Sequence, residues 1–248
     1  MIRVLALTAG TYERAKELSV AVLDECNKLQ KVSVIEASLL KANVYALTGE
    51  LDEVERWLKN AERNRAPEGD VLQCREIVYF LTAQISKALP LFERTLALSG
   101  PNKSALLMRT LATAWFKKAL AVVDSMEPGN VDPVLARTAQ QGAQMMDEIG
   151  LSEETASLIM DTAHRHMVEN KLIWLDAVPE INFLAAEHGG PAIHVAYRIE
   201  VTPEAAAEMN WVLAAELADR NLDNKGLLVS YRGTVFEEAE AAAEHATT

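Results

Sequence analysis

The sequence predicts a mainly α protein: antiparallel helix hairpins, then a helical bundle, then a small C-terminal β-α-β unit that makes the end of the chain α+β. Three observations carry this expectation. Half of the 248 residues are hydrophobic while Gly and Pro number only 11 and 8, a balance that suits long helices better than a turn-rich all-β fold. A set of residues recurs 34 positions apart within the first hundred. In the last quarter the apolar period shortens from three or four residues to two. A chain of this length can bury a sizeable core as one large domain or two small ones.

The repeat comes first along the chain. Val44, Tyr45, Gly49, Leu51, Val54 and Leu58 are followed 34 residues later by Val78, Tyr79, Ala83, Ile85, Ala88 and Phe92. Within the first copy an apolar helix ends near Gly49, which suits the left-handed backbone of a tight interhelical turn. Leu51, Val54, Leu58 and Ala61 then form the buried stripe of a second helix, and Pro67 punctuates the unit. An earlier partial copy, Gly10, Tyr12, Ala15 and Val22, stands 39 residues before the next, with a first helix of only Met1 to Thr8.

Beyond Gly100-Pro101 the chain is expected to stay helical without the repeat. Ser104 to Met126 reads as one helix carrying Leu107, Leu111, Ala114, Trp115, Ala119 and Val122, closed by Glu127-Pro128-Gly129-Asn130. Asp132-Pro133 opens another that runs to about Gly150. Ser152-Glu153-Glu154 starts a third, whose buried side holds Leu158, Ile159, Thr162 and Met167. Then Ile193, Val195, Tyr197, Ile199 and Val201 alternate with polar or small residues, which is a strand signal. Thr202-Pro203-Glu204 starts a helix with a capping hydroxyl and proline at the first position, and Ala206, Met209, Leu213 and Leu217 make its apolar stripe. Asn224-Lys225-Gly226 turns into the strand Leu227-Leu228-Val229-Ser230-Tyr231, and the helix between permits a parallel crossover. Two strands are marginal alone, so a third is expected from Leu172-Ile173-Trp174-Leu175 or from another chain. The Ala/Glu tail from Glu237 has no apolar face to bury. The resulting division is residues 1–100, helical repeats; 101–174, helical capping or bundle region; 175–234, β-α-β unit; and 235–248, acidic tail.

A small residue, an aromatic three later, Gly four after that, then apolar and small positions resembles the tetratricopeptide repeat. Ala42, Tyr45, Gly49, Leu51, Val54, Leu58 and Ala61 carry the likeness, with Pro67 one residue later than the usual closing proline. In the second copy Glu76 replaces the small residue, Ala83 the turn glycine, and Thr95 a small apolar residue. The resemblance implies that the first helix of each hairpin lines a concave surface for a protein or peptide partner. Carried over residue by residue, that surface comprises Glu36, Leu39, Asn43 and Ala46 from one repeat and Asp70, Gln73, Ile77 and Phe80 from the next. Asn43 matches the asparagine of the carboxylate-clamp subfamily, while Leu39 stands where that clamp requires lysine. The groove thus suits an amphipathic helix or an extended hydrophobic segment.

Charge narrows the partners. A net charge of −12 and a pI near 4.9 repel phosphate backbones and anionic membrane surfaces, and no basic cluster offsets them. Nucleic acid and membrane are therefore not expected. Neither an export signal nor a run of about 18 uncharged apolar residues is visible, so a cytoplasmic location is expected. Cys26 and Cys74 have no C-x-x-C partner and no nearby His at ligand spacing, and read as reduced, partly buried thiols. In Asp161-Thr162-Ala163-His164-Arg165-His166 the carboxylate and His164 share a helix face, but His166 points about 200° away from His164. One helix cannot offer both imidazoles to the same ion. His188 and His194 flank Gly189-Gly190-Pro191, a turn without a phosphate-loop pattern. No catalytic group, metal or cofactor is assigned. The functional expectation is a non-enzymatic interaction adaptor or regulator. The alternative is a structural subunit of a larger assembly, such as a virion or secretion complex, that self-associates through the C-terminal strands; a metal-dependent enzyme is the remote third.

Overall fold

A computed structural model describes residues 11–98, 103–127, 129–173, 178–185, 190–223 and 225–234. The Met1 to Thr8 helix, Gly10, Gly100-Pro101, Pro128, Trp174-Leu175, His188-Gly189, Asn224 and the tail from Glu237 lie outside the described residues.

The chain begins with α1 (Tyr12–Leu29) and α2 (Val34–Leu47), opened by Thr11 and Ser33, whose hydroxyls accept from the backbone of Arg14 and Glu36. Next come α3 (Leu51–Arg63) and α4 (Glu68–Leu81). A short α5 (Ile85–Ala88) continues through a 3-10 turn at Leu89–Leu91 into α6 (Phe92–Leu98). The break falls at Pro90, which has no N–H to donate and crowds a regular helix. Then follow α7 (Lys103–Ala112), α8 (Phe116–Asp124), α9 (Pro133–Ile149) and α10 (Glu153–Glu169).

The span from Ser104 to Met126, expected as one helix, is a hairpin of α7 and α8. Ala114 adopts φ 56°, as does Ala83, and Gly49 sits at φ 77°. Each of these residues follows a threonine, and each turn closes with the same six-residue backbone bond: Glu50 to Tyr45 (2.9 Å), Gln84 to Tyr79 (2.8 Å) and Trp115 to Thr110 (2.8 Å). The bond satisfies a helix-end carbonyl that would otherwise be orphaned. The same bond runs from Ala66 to Ala61, Leu151 to Met146, Leu172 to Met167 and Leu222 to Leu217, so it is this chain's common way of ending a helix, and alanine at the left-handed position hid the α7–α8 turn because it carries no turn signature.

The sheet runs β1 (Glu180–Leu184), β2 (Ala192–Ile199) and β3 (Leu227–Gly233), in the order β1-β2-β3. β2 and β3 are parallel, with Ile193 opposite Leu227 and Tyr197 opposite Tyr231, and α11 (Pro203–Asp219) makes the crossover. Thr202 accepts from the Ala205 amide at 3.3 Å, with Pro203 at the first turn. Leu172 and Ile173, the described part of the segment expected to supply the third strand, lie outside the sheet. The third strand is β1, antiparallel to β2 with Ile181 opposite Val195, and Ile181 and Phe183 on it pack against the core. Leu172 makes only an isolated bridge to Thr11.

One continuous set of buried side chains runs from Ile85 to Tyr231 and includes Phe92, Leu111, Phe116, Met146, Ile159 and Tyr197. The later helices and the sheet thus share a core. The first hairpin and α4 have their own small cluster of Ala42, Ala46, Val54, Leu58, Cys74 and Val78. A third contact, Ala15 with Leu47 and Ile173, ties the start of the helical array to the segment after α10. No helix among the described residues is long and apolar enough to cross a membrane.

Candidate partner-binding face

The first helices of the first two hairpins, α2 and α4, pack side by side, so the residues assigned to the groove come from neighbouring elements. Glu36 and Asp70 are exposed near the N-terminal ends of α2 and α4, while Leu39, Gln73 and Ile77 are half-buried. Ala46 is fully buried and Asn43 nearly so. Both serve the contact between α2 and α4 instead of facing outward: the Cys74 thiol donates to the Leu39 carbonyl at 3.5 Å, and Asn43 lies against the same sulfur. Burial pushes the Cys74 thiol up to about 12, which leaves it protonated and unreactive. Cys26 is also a free, buried thiol.

Phe80 closes the other end. Its ring meets His164 of α10 edge-on, with centroids 5.3 Å apart. His164 is sealed in the core, where desolvation lowers its pKa to about 4, so the ring is neutral at physiological pH. Tyr197 donates to the Ala112 carbonyl at 2.6 Å and lies 3.0 Å from His164 Nε2. On the other side of the ring His164 Nδ1 lies 3.4 Å from the Phe80 carbonyl. This chain of bonds fastens α10 to β2 and α7 directly behind Phe80. The inner face is therefore open toward Glu36 and Asp70 and shut at Phe80.

The Asp161 and His164 pair does not converge. Asp161 turns to the backbone amides of Ile85 and Ser86 and caps α5, whereas His164 turns to Tyr197. His166 faces Glu216 at 2.6 Å, and Arg165 and Arg220 engage the same carboxylate. His194 lies 2.8 Å from the Ser230 hydroxyl. Among the described residues no group of three or more His, Cys, Asp or Glu gathers as a metal site.

The junction between α4 and α7 holds a pair that the sequence reading left unused. Glu76 and Arg109 lie 3.5 Å apart with side chains only 5% and 17% exposed. Burial raises the Glu76 pKa, opposed by Thr95 and Arg109, and lowers that of Arg109. Among the described residues Glu76 Oε1 and Arg109 Nε have no hydrogen-bond partner. The pair lines a small cavity of about 20 Å³ with Phe80, Leu106 and Trp115. The signal was Glu76 itself, a charge at the repeat position where the first copy has Ala42.

No family profile, curated protein or solved structure matches the chain.

Proposed function

We propose that this chain is a non-enzymatic adaptor or regulator of tetratricopeptide-like build that binds a partner protein or peptide at the inner face of α2 and α4. The observation that carries the reading is repetition. The hairpins that turn at Gly49 and Ala83, both at positive φ, pack their first helices α2 and α4 side by side, and stacking of this kind makes an extended surface with one side chain pattern repeated along it. Glu36 and Asp70 occupy equivalent places in the two copies, as do Leu39 and Gln73. Ile77, half-buried and outside the packed hydrophobic clusters, is the apolar side chain best placed to gain from a partner. The occupant that fits is an amphipathic or extended segment whose apolar residues meet Leu39 and Ile77 while basic residues meet Glu36 and Asp70.

The test is affinity capture from the native host with wild type and Ile77→Glu, followed by reconstitution with the purified partner. Capture should be lost in the variant while its circular dichroism and melting stay near wild type. Undiminished binding by Ile77→Glu contradicts the assignment. The assembly reading draws on the two outer strands of the sheet, β1 and β3, each paired on one side only among the described residues, an arrangement that permits strand addition. Light scattering at high micromolar concentration separates the two, because the adaptor reading needs no self-association.

A further inference from the structure

The strongest unexplained surface is the outer face of α11. Its inner side is accounted for: Ala206, Leu213 and Leu217 are buried in the core, and the Asn210 amide bonds the backbone of Tyr231 in both directions, at 2.9 and 2.7 Å. On the opposite side Trp211 is 79% exposed and its neighbour Val212 56% exposed. At about 100° per residue, Ala207, Ala214, Ala215 and Ala218 all fall within about 60° of Trp211, and each is exposed. Positions 207, 211, 214 and 218 follow the four-three-four spacing of a helix-packing seam. A bulky knob flanked by alanines lets a second helix approach closely. Beside Val212 the face continues into an open groove of about 450 Å³ between α10 and α11, lined among others by Leu172, Val201 and Met209.

The charges along this seam have one sign. Glu204 and Glu208, one turn apart, are exposed on the same side of α11, as is Asp219 near its C-terminal end. Among the described residues no cation pairs with Glu204 or Glu208. The nearby arginines, Arg165 and Arg220, are already engaged by Glu216. A second copy of α11 would add carboxylates and bring no balancing cation: antiparallel pairing about Trp211 sets Glu204 level with Ala218 and Asp219 of the other copy. Charge complementarity instead selects a partner with positive charge beside its apolar stripe.

We infer that the outer face of α11 docks a basic amphipathic helix of another protein, with Trp211 as the central anchor and Glu204 and Glu208 as the charge-reading pair. This surface is distinct from the inner face of α2 and α4, so either can fail without the other. The full chain is titrated with a fluorescent synthetic helix of about 18 residues that carries leucines on one face and lysines beside them, and with its glutamate counterpart. Anisotropy should report micromolar binding of the lysine peptide and none of the glutamate peptide.

Trp211→Ala, which leaves the net charge of −12 unchanged, should weaken binding by about thirtyfold, the loss typical of an interface anchor. Glu204→Gln with Glu208→Gln should weaken it by about tenfold and reduce its salt dependence. Since all three side chains are solvent-exposed, melting should be unaffected. Three results overturn the proposal: no binding by the lysine peptide, equal binding by Trp211→Ala, which marks a nonspecific response to net charge, or a wild-type dimer that Trp211→Ala dissociates, which makes the occupant a second copy.

Discussion

Replacing Ala83 with glycine should stabilise the protein, and the sign of that change tests the hairpin geometry. Ala83 is held at φ 56°, where an L-residue other than glycine is disfavoured by roughly 1–2 kcal/mol. Glycine removes that strain but gives the unfolded chain extra freedom worth about 0.4–1 kcal/mol. The net expectation is a gain of about 0.5–1 kcal/mol. In a helix interior the same substitution costs about 1 kcal/mol, so the two geometries differ in direction as well as size. Ala114, also at φ 56° but fully buried, loses a buried methyl worth about 0.8 kcal/mol and should come out near neutral. At Gly49, φ 77°, an added Cβ meets nothing within 4 Å, so Gly49→Ala reports backbone strain less the same unfolded-chain term and should cost about 0.5–1 kcal/mol. Urea unfolding followed by far-ultraviolet circular dichroism measures all three, with melting shifts of about 2–4 °C per kcal/mol for a chain of this size. Destabilisation by Ala83→Gly of about 1 kcal/mol would refute the left-handed turn.

Four other substitutions probe the core. His164 is held neutral by burial, with a pKa near 4 against about 6.5 in the unfolded chain. The unfolded state therefore binds a proton that the folded state resists. The stability this group contributes is complete above about pH 6.5 and falls as the pH drops toward 4, on the order of 3 kcal/mol in all. His164→Phe should flatten that acid limb in unfolding curves taken between pH 7 and 4.5. Arg109→Met strands Glu76 and should cost about 3–5 kcal/mol near neutral pH, while pairing it with Glu76→Leu should recover most of the loss. Because burial raises the Glu76 pKa, the folded state takes up a proton more readily than the unfolded chain, so the single variant should gain stability as pH falls toward 5. Gly142 of α9 lies against Phe116, and an added Cβ would land on that ring; Gly142→Ala should lower stability by about 1–3 kcal/mol in the same assay.

How much could be read beforehand depended on whether the cause was local. Alternation placed Ile193, Val195, Tyr197 and Ile199 on one face, and all four are fully buried. Thr202-Pro203 marked the start of α11 because capping and the fixed proline φ act within one turn. The split at Ala114 was invisible because the apolar spacing from Leu107 to Val122 runs through it without interruption. β1 was missed because five residues holding only Ile181 and Phe183 as its inward pair carry a weak pattern. At the candidate face, α2 and α4 pack side by side, but whether Phe80 is open or covered depends on His164, 84 residues away. Glu76 meeting Arg109 is likewise a meeting of separate hairpins, and no single-helix pattern reports it.

The inner face of α2 and α4 is tested most directly by placing a photo-crosslinking residue at position 77 and, as a control, at the exposed Lys59 of α3, then irradiating each form in native host extract. The adaptor account predicts a discrete adduct with one partner protein from position 77 and none from position 59. Adducts of equal yield from both positions, or none from position 77, would contradict it.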